Sequence, residues 1–198
     1  EGDRAHYGCN LQHDIPLLEA MGYMSDITGD ACYRKGARDY LAFWLEHATR
    51  TPTGLWPWGE HPYWDFYREA LGENSKYHEY DGDITSEFWE MLWKLDSKAV
   101  LREADGLIYH IIDLKTFAHN RHAAVDKVLP DPRPESLKPL ALDFTRQGGY
   151  FIHLWAFAYA KTGEKRYADW IGRMLDYFED IRVPETGLLP VLSKYSAR

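Results

Sequence analysis

The sequence lacks the features that mark several classes of protein. It has only two cysteines, Cys9 and Cys32, and no C-x-x-C pair, which excludes a zinc ribbon but leaves a disulfide and two free thiols equally open. Its longest apolar stretches, such as residues 151–160, are too short to span a bilayer, so we expect no membrane partner. The formal net charge of -8 is the opposite of what a nucleic-acid-binding protein needs, so we expect no nucleic-acid partner. No stretch alternates convincingly as a β-strand, which predicts an all-α fold.

The chain is long enough to build one hydrophobic core. Of its 198 residues, 45% are hydrophobic and 15% are aromatic, so a single domain covering residues 1–198 is expected. Neither a signal peptide nor an initiator methionine is present, so we expect a processed chain or a piece of a longer protein. The location therefore stays open between periplasm and cytoplasm.

The clearest organisational signal is an internal repeat of residues 14–57 in residues 148–190. Each copy has an apolar helical stretch, a Thr-Gly-acidic turn, a second helical stretch and a closing Thr-Gly-Leu turn. The turn glycines Gly29 and Gly163 lie 134 residues apart and suit the left-handed end of a helix. We therefore predict two equivalent antiparallel αα-hairpins, in which residues 14–49 and 148–180 superpose.

The segment between the copies also has helical periodicity. Residues 85–95 are predicted to form a helix, and Asp96 is a suitable N-cap for the helix that follows. About six or seven hairpins of roughly 40–60 residues close an (α/α) toroid, and this chain supplies three or four. The expected architecture is thus antiparallel αα-hairpin repeats forming part of an (α/α) toroid, with an exposed apolar edge. A solenoid of helical hairpins also fits.

Residues 56–122 are unusually rich in side chains that bind metals or sugars. Imidazoles and carboxylates from separate segments are what a divalent ion requires, and His61, Glu79 and His122 are the predicted ligands. His78 and His119 are the substitutes for either histidine. The competing interpretation is that each histidine is a hydrogen-bonded packing residue.

Aromatic side chains in the same region are candidates for stacking on sugar rings, although we expect at least half of them to seal the core under a loop. These aromatic candidates are Trp56, Trp58, Tyr63, Trp64, Tyr77 and Tyr80.

Three short motifs carry a resemblance to a known family. The motifs are Trp58-Gly59-Glu60-His61, His78-Glu79 and Asn120-Arg121-His122. In order and spacing they resemble helical-toroid polysaccharide lyases, in particular the family-2 pectate lyases with an (α/α)7 barrel. The resemblance covers the middle third of the chain well and extends elsewhere only to the hairpin repeat. It implies a divalent metal, Mn, Ca or similar, held by two histidines and a glutamate.

The implied activity is β-elimination in a pectate-like, uronic-acid-containing glycan, so the expected partner is an acidic oligo- or polysaccharide. Arg121 would take the C5 proton, and Tyr80, Tyr63 or a water would protonate the leaving oxygen. Because arginine is ordinarily protonated, a clamp on the substrate carboxylate is the physically easier role for Arg121. The predicted substrate-binding residues are Trp56, Trp58, Trp64, Tyr77, Asn120 and Arg146.

Other functions remain as alternatives. A glycoside hydrolase on the same fold would need two carboxylates flanking a sugar, and the candidates are Glu60, Asp65, Glu79, Asp81 and Asp83. A metal-independent sugar epimerase would use His61 and His122 as acid and base. A non-catalytic helical-repeat binding module would explain the hairpins but not the clustered histidines. An acidic substrate also requires local cations to offset the net charge, and Arg68, Lys76, Arg121 and Arg146 are the candidates.

Overall fold

The fold is mostly α-helical, as the sequence predicts. The computed structural model describes residues 8–59, 62–72, 76–80, 84–140 and 143–192. The α-helices in these ranges are α1 (Leu11–Thr28), α2 (Cys32–Ala48), α3 (Ser86–Gly106), α4 (Thr145–Thr162) and α5 (Lys165–Ile181). Within the described ranges, no helix combines the length and apolarity that crossing a membrane requires.

The repeat in the sequence corresponds to two helical hairpins of matching dimensions. Helices α1 and α4 have 18 residues each, and α2 and α5 have 17 each. Helix α1 ends at Gly29 with φ 73°, and α4 ends at Gly163 with φ 69°. In both cases the glycine N–H donates to the carbonyl four residues earlier, a left-handed cap that a glycine adopts without steric cost.

The same side-chain hydrogen bonds close both hairpin turns. Thr28 Oγ1 donates to the Met24 carbonyl and accepts from the backbone N–H of Asp30. Thr162 does the same with Ala158 and Glu164. The matching lengths, caps and turn bonds support the prediction that the two hairpins superpose.

Helix α3 joins the hairpins and is broken at Asp96, as the sequence predicts. Asp96 has φ -150° and ψ 90°, outside the helical region, and its Oδ1 accepts the backbone N–H of Ala99 at 2.9 Å. It is therefore the N-cap of a second helical half. On the other side, the Trp155 indole N–H of α4 donates to the Ala104 carbonyl at 2.9 Å and fastens α3 to the second hairpin.

The helices pack in chain order: α1 on α2, α2 on α3, α3 on α4 and α4 on α5. Among the described helices, α1 and α5 are not a closely packed pair, so the arrangement is an open series. Helix α1 exposes the apolar side chains Leu17, Tyr23, Met24 and Ile27. This edge agrees with a partial ring, and the assignment of the hairpins to part of an (α/α) toroid stays a prediction.

Within the described ranges, five short strands accompany the helices of this mostly α-helical fold. Strands β1 (Gly8–Cys9), β2 (Trp64–Asp65) and β3 (Ala70–Leu71) form one antiparallel sheet in that order. Strands β4 (Tyr77–Glu79) and β5 (His122–Ala124) form a separate antiparallel ribbon. Segments of two or three residues are too short to show a period of two, so periodicity could not reveal them.

Both cysteines are free thiols, which removes the disulfide alternative. The Cys9 thiol lies beside Tyr40 and Asp14, and burial raises its pKa to about 12. Cys32 is exposed at the start of α2. Neither thiol therefore cross-links two parts of the chain.

The left-handed hairpin glycines can be tested by substitution. Gly29→Ala and Gly163→Ala should each lower the free energy of unfolding by about 1 kcal/mol, because an alanine at positive φ is strained. Gly22→Ala and Gly172→Ala are the controls, since both sites lie inside helices and a Cβ there meets no atom within 4 Å. The control substitutions should stabilise the protein. Urea unfolding measures all four, and equal effects at turn and helix positions would contradict the caps.

Candidate functional site

The β4–β5 ribbon brings together two of the three predicted motifs. Glu79 lies directly opposite His122 in the register of the strands. The third motif reaches the ribbon through a backbone hydrogen bond from the Glu79 N–H to the Trp58 carbonyl at 3.0 Å. His61 and Glu60 lie outside the described residues. The three segments contact one another at Trp58, Glu79 and His122, and the predicted convergence of His61 with Glu79 and His122 stays a prediction.

Gly59 allows the first motif to approach the ribbon closely. Its φ is 134°, and a Cβ at this position would lie 2.7 Å from the Cβ and from the carbonyl oxygen of Glu79. Only glycine combines this backbone conformation with so little space. The position of Glu79 therefore depends on the absence of a side chain at residue 59.

Arg121 lies between the two ribbon residues Glu79 and His122. The Glu79 side chain is fully buried, and its Oε1 pairs with Arg121 Nη2. The Arg121 Nε–H donates to His122 Nε2 at 3.0 Å, so this imidazole nitrogen acts as an acceptor. His122 Nε2 also lies 3.4 Å from Glu79 Oε2, and because its lone pair is already engaged, this is a close approach and not an ion pair.

The spacing of Glu79 and His122 suits two ligands of one metal ion. Two ligand atoms at about 2.0–2.2 Å from an ion, at a tetrahedral angle, lie about 3.4 Å apart. Within the ranges that the structure describes, no group of three His, Cys, Asp or Glu side chains is arranged to hold an ion. The third predicted ligand, His61, falls outside those ranges. Because Arg121 donates to His122 Nε2, His122 could hold an ion only after that hydrogen bond is released, and the metal site stays a prediction.

Trp56 and Trp58 are core residues, which corrects their assignment to sugar stacking. Both side chains have 0% exposure, so neither ring offers a face to a ligand. Their ring centroids lie 4.8 Å apart in an edge-to-face contact, and Trp44 and Trp89 complete the cluster. This aromatic cluster supports the ribbon from beneath.

The two tyrosines predicted as proton donors are also buried. Tyr80 is 1% exposed, its hydroxyl accepts the Trp89 indole N–H at 3.2 Å, and burial raises its pKa well above the usual value. Tyr63 is 6% exposed and packs tightly against Gly8 and Gly72. The structure therefore gives Tyr80 a packing role and leaves it no direct contact with a substrate in solution.

The remaining predicted binding residues lie nearer to solvent. Tyr77 is partly exposed, and its ring lies 4.7 Å from that of His122. Arg146 is exposed in the first turn of α4, two residues after Phe144, whose ring lies 5.5 Å from Arg121 Cζ. Asn120 is partly exposed, but its Oδ1 accepts the His122 N–H at 3.1 Å and shapes the start of β5. Trp64 is half-buried in β2.

A buried polar chain beneath the ribbon was not predicted. Glu103 of α3 accepts the Trp56 N–H at 2.7 Å with Oε2 and lies 2.7 Å from His78 Nε2 with Oε1. His78 Nδ1 lies 2.6 Å from His110 Nε2, and His110 Nδ1 lies 2.7 Å from the Asn120 carbonyl. All three side chains have 0% exposure.

The sequence did contain one signal for this chain. Glu103 follows Ala99 and precedes Leu107 at four-residue spacing, so it interrupts an otherwise apolar helical stripe. A carboxyl group on a buried stripe requires a polar partner. His110, in the 3-10 helix Leu107–His110 that follows, gave no such indication.

Burial sets the protonation of this chain. It raises the pKa of Glu103 well above the usual range, lowers the pKa of His78 to about 3 and lowers the pKa of His110 well below its usual value. These directions agree with each other, since they describe a protonated carboxyl and two neutral imidazoles. His78 Nε2 accepts the Trp58 indole N–H at 2.6 Å, and Glu103 Oε1 lies 2.7 Å from the same nitrogen.

The family described as periplasmic pectate lyase matches residues 2–195 of the chain. The match therefore includes both hairpins, α3 and the ribbon.

The buried histidines predict a dependence of stability on pH. His78, His110 and His119 all have lowered pKa values because of burial, so the unfolded chain takes up their protons as the pH falls below about 6.5. Glu103, with a raised pKa, acts in the opposite direction above about pH 4.5. Three histidines outweigh one carboxyl, so the free energy of unfolding should fall between about pH 6.5 and 4.5, by about 1.4 kcal/mol per pH unit for each net proton.

Urea unfolding at several pH values measures this decline. Glu103→Gln is the matched control, because it removes the opposing carboxyl and should make the decline steeper. An unfolding free energy that stays constant from pH 6.5 to 5 would show that these histidines are not held neutral.

The close approach at Gly59 predicts a second effect. Gly59→Ala should lower the free energy of unfolding by about 1–3 kcal/mol, because the methyl group is strained at this φ and displaces Glu79. Gly149→Ala in α4 is the control, since a Cβ there meets nothing within 4 Å. Thermal or urea unfolding of both variants is the measurement. A Gly59→Ala variant as stable as the control would mean that the loop is free to shift.

Proposed function

The chain belongs to the periplasmic pectate lyase family, and from this premise we propose that it cleaves a pectate-like polyuronate by metal-assisted β-elimination. The observation that carries the proposal is the cluster of Glu79, Arg121 and His122 at the end of the ribbon. It combines a buried carboxylate, a guanidinium and an imidazole, and the order of these residues in the chain resembles the motifs of the family. The description of the family also supports a periplasmic location.

The reaction removes the C5 proton of a uronate and breaks the bond between C4 and the glycosidic oxygen. The C5–H electron pair forms the C4–C5 double bond, and the leaving oxygen accepts a proton. A bound divalent ion would neutralise the uronate carboxylate and make the C5 proton more acidic. Glu79 and His122 are the described residues that would hold this ion, together with His61 from the segment outside the described ranges.

Arg121 is the residue proposed to face C5. Its side chain is partly exposed beside the ribbon, whereas Tyr80 is enclosed. As a cation it binds the uronate carboxylate in a bidentate manner. The resemblance to the family assigns it the proton-accepting role, which only a neutral guanidine could perform. Because Tyr80 and Tyr63 are both buried, water is the proposed donor to the leaving oxygen.

Two of the four cationic side chains that the sequence predicts to attract an acidic substrate lie beside carboxylates. Arg68 lies 3.8 Å from Asp65, and Lys76 lies 3.5 Å from Asp126, so both cations are locally offset. Arg121, which belongs to the cluster, and Arg146, which is exposed in the first turn of α4, are the proposed contacts for uronate carboxylates.

A glycoside hydrolase receives less support from the described carboxylates. Asp65 is 4% exposed, and its Oδ1 accepts the backbone N–H groups of Tyr67 and Arg68, which makes it a turn residue. Glu79 is buried against Arg121. Glu60, Asp81 and Asp83 lie outside the described residues.

The test is incubation with polygalacturonate, alginate and glucuronan, with and without a chelator, while the absorbance of the unsaturated product is followed. We expect product from polygalacturonate, its loss on chelation, and its return with Mn²⁺ or Ca²⁺. Reducing ends formed without an unsaturated product would instead indicate a hydrolase.

Substitutions at the cluster should separate the roles of its residues. His122→Ala should lower the rate at least about 100-fold by removing a metal ligand. Arg121→Lys should keep the affinity for Mn²⁺ but lose about 100-fold in rate, because lysine keeps the charge without the geometry.

Matched controls are His47→Ala and Arg102→Lys. His47 also lies beside a carboxylate, Glu69, and Arg102 is a partly buried arginine bonded to Thr49. Both controls should retain activity. Full activity in Arg121→Lys would show that Arg121 contributes only its positive charge.

A further inference from the structure

The buried chain of Glu103, His78 and His110 ends on the backbone next to the reacting residues. His78 immediately precedes Glu79 in β4, and Asn120 immediately precedes Arg121. The backbone N–H of Asn120 also donates to the His110 carbonyl at 2.9 Å. His110 therefore bonds to both the backbone N–H and the backbone carbonyl of Asn120. One continuous path thus connects α3 to both sides of the site.

The direction of every hydrogen bond in this path is fixed by its end. A carbonyl oxygen only accepts, so His110 must carry its proton on Nδ1 to donate to Asn120. The Nε2 of a neutral His110 then accepts, which requires an Nδ1–H on His78. His78 Nε2 in turn accepts the Trp58 indole N–H at 2.6 Å, and Glu103 Oε1 lies 2.7 Å from the same nitrogen.

We propose that Glu103, His78 and His110 are positioning residues of the lyase site, which act as a neutral hydrogen-bonded chain that fixes Glu79 and Arg121 relative to each other. The inference rests on the proposed function and extends it to residues that touch neither substrate nor metal. Each of the three has 0% exposure, so none of them reaches a polysaccharide directly. Their effect passes through the backbone of β4 and of the segment before β5.

The structure of the chain makes glutamine a rescue substitution at position 103. The carbonyl oxygen of Gln accepts the Trp56 N–H, and its amide nitrogen takes the place of Oε1 beside His78 Nε2. Leucine at the same position makes neither polar contact. Glu103→Gln and Glu103→Leu therefore remove the same carboxyl group but differ in whether the chain survives.

The first measurement determines which nitrogen of His78 and of His110 carries the proton, and it needs no substrate. Two-bond 1H–15N spectra of the imidazoles should show His78 and His110 in the Nδ1–H tautomer, both in the wild-type protein and in Glu103→Gln. An Nε2–H tautomer at either histidine, or a doubly protonated His78, would overturn the inference.

The second measurement is the rate of unsaturated product formation from polygalacturonate. Glu103→Leu and His110→Phe should lower kcat about 10- to 100-fold with little change in KM, because the reacting groups shift while the outer binding contacts stay. Glu103→Gln should keep kcat within about twofold of the wild type. A Glu103→Gln variant as impaired as Glu103→Leu would contradict the positioning role.

Loss of stability is controlled by Trp155→Phe, which removes a buried hydrogen bond to Ala104, the residue next to Glu103, without touching the ribbon. It should destabilise the fold to a similar extent, as judged by Tm, and keep its kcat. If kcat falls equally in Trp155→Phe, the effect of Glu103→Leu is general and the inference fails. If the wild-type protein forms no unsaturated product at all, the lyase proposal fails first, whereas wrong tautomers in an active protein overturn this inference alone.

Discussion

The burial of the Glu79 carboxylate is the constraint on which the site depends. A carboxylate without exposed surface must be compensated by charges and hydrogen bonds held against it. Arg121 provides the charge, and the pairing of β4 with β5 provides the position. Gly59 has no side chain, so the first motif can approach Glu79 closely. Each of these residues is therefore explained by its contact with one side chain.

The two hairpins hold the site but contribute little of its chemistry. They contact α3 through α2 and through α4. The aromatic cluster of Trp44, Trp56, Trp58 and Trp89 fills the space beneath the ribbon. Rigid helices and large rings keep this floor fixed. The ribbon itself is only three residues long on each side, so its geometry is set by what lies under it.

How much could be read from the sequence depended on whether a feature has a local cause. The hairpins were predictable because a Thr-Gly turn and a helical period are written within a few residues, and the N-cap at Asp96 has the same local origin. The ribbon was not predictable, because its strands pair residues that are distant in the chain. The sequence also could not show which aromatic side chains, such as Trp56 and Trp58, are buried. An aromatic residue is equally suited to a core and to stacking on a sugar. His110 obtained its partners only through the folding of the ribbon onto α3.

The break at Asp96 has a consequence for how this chain tolerates change. In an unbroken helix, every inserted or deleted residue rotates all later side chains by about 100°. At Asp96 the backbone leaves the helical region and a new N-cap sets the second half of α3 afresh. The helical phase of Glu103 is thus independent of the phase of the residues before Asp96. Length variation in the first half of α3 can accumulate while the polar anchor of the ribbon keeps its face.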